Sequence, residues 1–344
     1  DHLHNLAIAL HSYEGSFKTV PKAQYKIEGG SNWHGHGIWV SILPYIEQKP
    51  AFDMYQMHLA YDNGGNTNAR RVKIDVFRCP SDKDYNGPEP GVNYAGCGGS
   101  TVDIWVENFI SGGNGWINRH KEVAFRDVTD GTSNVVMVGE LLVGDNAQTI
   151  VSDSDIVQQG SAPTFVNKQF PTQTELQTAG TGCNALATTG AGSLSQCGRD
   201  WVAPYPAQTL FNTTAPPNWQ YRSCAFGGAF GLCTDRNGIF PARSRHPGGA
   251  QVAMGDAKVR LVSENVDTLV WQRAGARDDG NPTRPFSNAR VTDPAVPRPG
   301  SLMNFSSSRR TRLDALFPAG TTGPFPSKVR TRLERTHTHL RIST

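Results

Sequence analysis

The sequence lacks the long apolar runs and the short signature motifs that classify many proteins at once. No stretch of 18 or more apolar residues occurs, so we expect no transmembrane helix within the 344 residues. No two cysteines have C-x2-C spacing, which argues against a structural zinc site. The phosphate-binding pattern G-x-x-x-x-G-K-S/T and the nucleophile pattern G-x-S-x-G are both missing. We therefore predict no nucleotide site, no cofactor and no catalytic residue, as expected for a protein that is not an enzyme.

Glycine and proline are abundant, with 36 and 22 residues, while hydrophobic residues make up 37% of the chain. This composition favours a globular protein rich in loops and strands. The net charge of +3 hides an uneven distribution, because residues 281–344 hold 11 Lys and Arg against 3 Asp and Glu. The last segment therefore differs in kind from residues 1–280, which carry a net negative charge.

Residues 281–344 also contain eight prolines and no periodic apolar pattern. Such a segment buries too little apolar surface to offset its ordering entropy, so we predict a disordered basic tail. The functional alternative is an arm that contacts acidic polymers, such as acidic glycans or an anionic membrane surface. We do not expect recognition of a specific nucleic acid.

The first twenty residues show helical periodicity, and shorter β-type patterns follow. We predict an amphipathic helix over 1–20, a β-rich globular domain over 21–280, and a polar insertion at about 145–200 with little core of its own. Residues 135–143 form the clearest buried strand, and residues 265–274 are helix-like. A helix followed by an antiparallel sheet is an α+β order. The apolar helix positions are Leu3, Leu6, Ala7, Leu10, Tyr13 and Phe17.

Residues 245–262 read R-H-P-G-G-A-Q-V-A-M-G-D-A-K-V-R-L-V and predict a β-hairpin. Gly248 and Gly249 break any helix, and alternating apolar residues lie on both sides of Gly255 and Asp256. The hairpin turn therefore carries a carboxylate, and nine residues separate it from His246.

This hairpin resembles the His-x9-Asp-Gly motif of a large bacterial family of prepilin-like proteins, abundant in planctomycetes, known as domain of unknown function 1559. Here Asp256 is followed by Ala257 where the family has glycine, so we expect a turn built differently from one that needs a positive φ after the acid. Further segments that resemble the family occur in its order along the chain, at residues 5–13, 39–48, 77–82, 93–97, 127–134, 135–140 and 211–218.

The resemblance implies a fold like that of type IV pilins and type II secretion pseudopilins, in which an N-terminal helix lies across an antiparallel sheet. In such proteins the helix continues upstream into an apolar half that anchors the subunit in the inner membrane or filament core. We accordingly expect that residues 1–20 are the C-terminal part of such a helix and that any membrane anchor lies outside this sequence.

The six cysteines fall into three pairs of sequence neighbours. Pairing of neighbours is the simplest arrangement, although six cysteines allow fifteen connectivities. An even number without metal spacing favours an oxidising compartment. The alternative is a set of reduced, buried thiols. The disulfide candidates are Cys79 with Cys97, Cys183 with Cys197, and Cys224 with Cys233.

His246 and Asp256 admit two interpretations. An imidazole–carboxylate pair across the hairpin would suit a general base, but no nucleophile is recognisable beside it. We favour structural roles, with His246 capping the start of the strand and Asp256 accepting backbone N–H groups in the turn.

Residues 127–134 also admit two interpretations. As structure, Asp127 caps a helical turn that Gly131 closes in a left-handed conformation, and the following polar residues bond their own backbone. As function, Asp127, Asp130, Thr132 and Asn134 offer oxygens for calcium, although without EF-hand spacing. Glu140, at the end of the buried strand, is the carboxylate whose burial most needs explanation.

Two weaker signals remain. His34 and His36 alternate as two metal ligands on a strand would, but exposed loop histidines explain them more simply. The seven tryptophans suggest either core packing or stacking on sugars, and only Trp116 lies in a plainly loop-like context.

These observations favour a structural subunit of a pseudopilus, pilus or other extracellular filament. Such a subunit would associate with itself or with other pilin-like subunits at the cell envelope, in the periplasm or outside the cell. The alternative is an extracellular module that binds a glycan or another solute.

Overall fold

The computed structural model describes residues 1–31, 33–105, 113–186, 193–227 and 235–282. The chain divides into a unit Asp1–Arg290 and a unit Val291–Thr344, and the predicted tail lies outside the described residues from position 283 onward. Among the described residues no helix is both long and apolar enough to cross a membrane. The helices are α1 His2–Phe17, α2 Ile38–Ile42, α3 Lys49–Met54, α4 Thr67–Arg70, α5 Gln173–Leu186 and α6 Thr268–Gly275. The strands are β1 Tyr94–Cys97, β2 Val136–Glu140, β3 Ile156–Gln159, β4 Ser193–Leu194, β5 Leu210–Phe211, β6 Ser223–Phe226, β7 Asn237–Ile239, β8 Gly249–Met254 and β9 Val259–Ser263.

Helix α1 confirms the predicted apolar stripe, since Leu3, Leu6, Ala7 and Leu10 are all buried. The helix passes Gly15 and ends where Lys18 adopts a left-handed backbone with φ 64°. Its buried face packs against β2 and β8 of the larger sheet. Phe17 extends this face, since its ring stacks on Tyr13 at 4.4 Å, although the residue is 59% exposed.

The larger sheet has five strands in the order β5-β1-β2-β8-β9. Its strands are antiparallel except for β1 and β5, which run parallel. Side chains alternate between its faces, as the pleat of a strand requires. Met137 and Ala253 join the core under α1, whereas Val136 and Met254 join a second core that contains Trp271 of α6. The sheet is therefore buried on both faces around the strand predicted at 135–143.

A smaller sheet, ordered β4-β3-β6-β7, joins β3 and β4 of the predicted polar insertion to β6 and β7, which follow it in the chain. The apolar residues of the insertion contribute to a core that they share with this following segment. Val157 of β3, Leu176 and Ala179 of α5, and Phe226 of β6 pack into a separate buried cluster. The helices and the two sheets confirm the α+β class. Both sheets are mixed and not purely antiparallel, because β3 pairs with β6, and β1 with β5, in parallel.

The predicted hairpin is confirmed as β8 and β9, paired from Gly249 opposite Ser263 to Ala253 opposite Val259. Its turn corrects one expectation, because Ala257 adopts the positive φ, 64°, that glycine adopts most easily. Ala257 donates its N–H to the carbonyl of Met254, which closes the turn. The chain therefore keeps this left-handed position without the glycine.

Candidate functional site

A buried cysteine, a buried glutamate and a half-buried histidine meet where three of the sequence segments singled out above converge. Cys79 follows a 3-10 turn at Asp75–Phe77, Glu140 ends β2, and His246 precedes β8. These side chains form the group of three potential metal ligands found among the described residues, with their ligand atoms all within 4.8 Å of one another. We call this set the Cys79/Glu140/His246 cluster.

A single nitrogen of His246 faces both partners. Its Nε2 atom lies 3.6 Å from Sγ of Cys79 and 3.3 Å from Oε1 of Glu140. In a relay, one ring nitrogen faces the nucleophile and the other faces the orienting acid. Because Nε2 alone faces both groups here, the arrangement suits three donors around a common point better than a proton relay.

The Glu140 carboxylate is held inside the protein. Its side chain is only 4% exposed, and Oε2 accepts the backbone N–H of Gln251 at 2.7 Å. Burial raises the pKa of Glu140, and its hydrogen bonds to Gln251 and Ser244 and the nearby His246 act in the opposite direction. Glu140 is thus a buried acid whose orientation is fixed by its partners. These hydrogen bonds explain how a carboxylate is accommodated at the end of a buried strand.

The loop that carries Cys79 is tied to the rest of the site by Asn93 and Asp82. Asn93 accepts the backbone N–H of Cys79 through Oδ1 at 3.0 Å and donates from Nδ2 to Asp82 at 2.6 Å. Asp82 also accepts the N–H of Val143, just after β2, and lies 3.4 Å from Nε of Arg245. Residues of 77–82, 93–97, 135–140 and 245–262 therefore interlock at one place.

Tyr94 adds a hydroxyl beside the sulfur. It pairs with Glu140 across β1 and β2, and its side chain hydrogen-bonds to Cys79. Burial raises the pKa of Tyr94 well above its ordinary value, so the phenol keeps its proton. The sulfur therefore has a neutral hydrogen-bond donor next to it.

This site is not predicted from the sequence, because Cys79 is expected in a disulfide and His246 is expected to cap the start of the strand. The His246 ring instead contacts Glu140 and Cys79, so its predicted role as a cap was wrong. Asp256 accepts the N–H of Lys258 in the turn, as predicted. Gly248 has φ 82°, and a Cβ on Gly249 would lie 2.0 Å from the carbonyl oxygen of Val262. Both glycines are therefore structural, whereas His246 belongs to the cluster.

The predicted disulfide pairing of sequence neighbours was wrong. Cys183 of α5 bonds to Cys224 of β6, with their Cα atoms 6.1 Å apart. Cys79 and Cys97 are free thiols, and Sγ of Cys197 lies 3.8 Å from the carbonyl oxygen of Leu194. The disulfide connects the two elements that pack in the smaller sheet's core, and Cys233 lies outside the described residues.

The segment 127–134 supports its structural interpretation. Both carboxylate oxygens of Asp130 accept backbone N–H groups, from Asp279 at 2.8 Å and from Gly280 at 3.0 Å. Asp127 does not cap the turn as predicted; it ends the 3-10 turn and accepts the N–H of Ala124. Gly131 is left-handed at φ 91°, as predicted. Of the remaining calcium candidates, Asn134 donates to the carbonyl of Asp130 and Thr132 is half-buried.

The two histidines of the 34–36 segment do not share a ligand point. Nδ1 of His34 lies 3.1 Å from the Tyr205 hydroxyl, while the His36 ring stacks on Tyr25 at 4.4 Å. Trp116 lies in a loop, as expected, and its side chain is fully buried. Trp33 is half-buried, and the other buried tryptophans are Trp39, Trp105, Trp201, Trp219 and Trp271, which confirms core packing for most of them.

A groove of about 490 Å³ lies beside α5 and the residues that lead into α6. Its lining combines Trp219 with the amides of Gln177, Asn218, Gln220 and Asn265. An aromatic ring surrounded by amide groups has the chemistry of a site for a polar solute such as a sugar.

The fold and the cluster define an α+β domain in which an N-terminal helix crosses one of two mixed sheets and motif residues meet at a Cys-Glu-His cluster. Residues 1–269 match the model of the family described as a protein of unknown function (DUF1559), and the chain belongs to this family. No curated protein and no solved structure matches the chain.

Proposed function

We propose that this chain is the globular part of a pilin-like structural subunit, one that assembles into a pseudopilus, pilus or other filament at the cell envelope. The observation that carries the proposal is the packing of α1 against β2 and β8 of the larger sheet. A subunit that is held in a filament through its helix must transmit load from that helix to its domain. The contacts of α1 are suited to this task.

Three histidines of α1 fasten the helix to distant parts of the domain. His2 bonds through Nδ1 to the carbonyl of Arg78 at 2.9 Å, and His4 and His11 bond to carbonyls in the β8–β9 turn at 2.9 and 2.8 Å. The apolar face adds burial, with Leu6 and Leu10 fully inaccessible. Burial of each leucine side chain contributes about 2 kcal/mol of stabilisation, so the helix is held firmly to the sheet.

The opposite side of α1 is available to a second copy of the chain. Ile8 is 46% exposed, and Asn5 and Ser12 are exposed on the same side of the helix. The disulfide Cys183–Cys224 supports an oxidising location such as the periplasm or the cell exterior.

Cysteine cross-linking in cells that produce the full gene product tests the assembly. Ile8→Cys and Ser12→Cys place thiols on the outer side of α1, and Val166→Cys places a matched control thiol at a 94% exposed position after β3. We expect oxidant-dependent cross-linked dimers from each of the two helix positions and none from the control, since one thiol per subunit can form one disulfide. Monomers at all three positions would refute the proposed assembly.

The groove beside α5 favours a second candidate, an extracellular module that binds a glycan or similar polar solute. Trp219 is 8% exposed and lines the groove with several amide side chains. Screening an oligosaccharide panel by tryptophan fluorescence, with Trp219→Ala and Gln220→Ala as variants, tests this idea. Binding that is lost in both variants supports it, whereas the absence of binding to any oligosaccharide counts against it.

A further inference from the structure

We propose that Cys79, Glu140 and His246 bind one divalent transition-metal ion of the zinc type. This inference is independent of the filament proposal, because it rests on the cluster alone. The three residues supply a sulfur, a carboxylate oxygen and an imidazole nitrogen, which are the donors that zinc takes in proteins. A thiolate in the set selects against calcium and magnesium, which prefer oxygen ligands only.

Two of the three donor spacings fit a tetrahedral ion, and the third, between the sulfur and the carboxylate, is within 4.8 Å. Bonds of about 2.3 Å to sulfur and about 2.0 Å to nitrogen and oxygen, at tetrahedral angles, place neighbouring donors roughly 3.3 to 3.6 Å apart. Sγ of Cys79 lies 3.6 Å from Nε2 of His246, and that nitrogen lies 3.3 Å from Oε1 of Glu140. Nε2 is the atom that would bind the ion, which explains why it faces both other donors.

The burial and charge of the cluster also point to a cation. Cys79 is 6% exposed and the Glu140 side chain 4% exposed, so both acidic groups lie away from water. Burying a carboxylate is unfavourable unless a charge compensates it. The guanidinium group of Arg245 is engaged elsewhere, with Asp82 at 3.4 Å. A divalent ion would neutralise a thiolate and a carboxylate together.

The groups around the ligands hold them in place. The N–H of Gln251 occupies Oε2 of Glu140, which leaves Oε1 directed at the cluster. Asn93 fixes the backbone of Cys79, and Tyr94 hydrogen-bonds to its sulfur. Such supporting bonds are typical of metal sites and tune their affinity. The His246 side chain is 27% exposed, so the fourth coordination position opens toward solvent and suits a water molecule.

Cobalt is the probe that distinguishes this site from weak binding elsewhere. The full chain is freed of metal by dialysis against a chelator in oxygen-free buffer without thiol reductant, and is then titrated with Co²⁺. We expect a thiolate-to-cobalt charge-transfer band with the visible bands of a tetrahedral ion. The band should saturate at one ion per chain and be displaced by Zn²⁺. The absence of a thiolate band overturns the proposal.

Variants assign the site to its residues. Cys79→Ser should abolish the band, and Glu140→Gln and His246→Gln should each weaken cobalt binding by at least about 100-fold. Cys97→Ser is the matched control, since Cys97 is also a buried free thiol but lies outside the cluster. A band that survives Cys79→Ser, or that disappears in Cys97→Ser, overturns the assignment.

A measurement on the unmodified sequence covers the case in which a variant fails to fold. Zn²⁺ should slow the alkylation of Cys79 by iodoacetamide by at least about tenfold, because a metal-bound thiolate is protected. Peptide mass spectrometry reports the rate at this residue. An alkylation rate that Zn²⁺ leaves unchanged also overturns the proposal.

Discussion

His11 of the first helix bonds through Nε2 to the carbonyl oxygen of Gly255, which follows it by 244 residues. The same ring packs edge-on against Phe125 at 4.6 Å. The bond joins α1 to the turn of the β8–β9 hairpin. A substitution that removes it should therefore lower the free energy of unfolding of the domain.

Replacing His11 with alanine should lower the free energy of unfolding by about 1 to 2 kcal/mol, because one hydrogen bond and one aromatic contact are lost. Ile8→Ala, on the exposed side of the same helix, should change it by less than about 0.5 kcal/mol. Urea unfolding followed by circular dichroism measures both. Equal effects of the two substitutions would contradict the role of the His11 bond.

The turn residue Ala257 offers a test of backbone strain. Ala257→Val should destabilise the domain by at least about 2 kcal/mol, because a β-branched residue tolerates φ 64° poorly and the site is buried. Ala257→Gly should be within about 0.5 kcal/mol of the native protein, since relief of strain offsets the lost methyl group. Thermal unfolding distinguishes the two variants, and a valine variant as stable as the glycine variant would contradict the strained turn.

The buried pair of Arg70 and Asp200 should be costly to break from one side. Nε of Arg70 donates to Asp200 at 2.8 Å, and the Asp200 side chain is fully inaccessible. Asp200→Asn should cost about 3 kcal/mol or more, because it leaves a buried guanidinium without its main counter-charge. Asp53→Asn removes the exposed pair with Lys49 and should cost less than about 1 kcal/mol. Chemical denaturation measures the free energy of unfolding of both variants. Equal losses would show that the buried pair is no more costly to break than the exposed pair.

The Cys183–Cys224 disulfide should stabilise the chain by about 4 kcal/mol, as estimated from the 41-residue separation it closes. Cys183→Ser should therefore unfold at a lower urea concentration than the native protein, whereas Cys97→Ser should keep the disulfide. Peptide mapping without reduction should recover Cys183 and Cys224 as one linked species. Recovery of Cys183 linked to Cys197 would restore the neighbour pairing that the structure replaced.

His36 should make stability depend on pH. Burial, with Lys22 nearby, lowers the pKa of His36 to about 3, whereas the unfolded chain titrates near its ordinary 6.5. The unfolded state thus binds the proton first, so this contribution is complete above pH 6.5 and falls as the pH drops from 6.5 toward 3, by at most about 1.4 kcal/mol per pH unit. The free energy of unfolding, measured with urea at several pH values, should depend less steeply on pH in His36→Gln than in the native protein. Identical slopes would show that His36 does not contribute.

The sequence was sufficient where a pattern is local. The stripe of Leu3, Leu6 and Leu10 predicted α1 because a helix repeats its faces every 3.6 residues. Alternating apolar residues around Gly255 and Asp256 predicted the hairpin in the same way.

The cluster could not be predicted, because the distance between Cys79 and His246 is set by tertiary packing that no spacing in the chain encodes. Helix α5 was missed because it is polar on most sides, and its few apolar residues meet strands β3 and β6 in other segments of the chain. The disulfide was misassigned for a related reason, since nearness along the chain says little about two cysteines in different elements. At Ala257 the turn keeps the left-handed backbone that glycine adopts most easily, although the residue is alanine. The residue type alone therefore did not predict the turn conformation.

The contacts of His4 and His11 with the β8–β9 turn also bear on the order of synthesis. Their partners, the carbonyls of Ala257 and Gly255, leave the ribosome some 250 residues after the helix does. Throughout that interval the apolar face of α1 has no hairpin to cover it. Until the β8–β9 hairpin is made, this face is therefore exposed apolar surface, which is prone to aggregation.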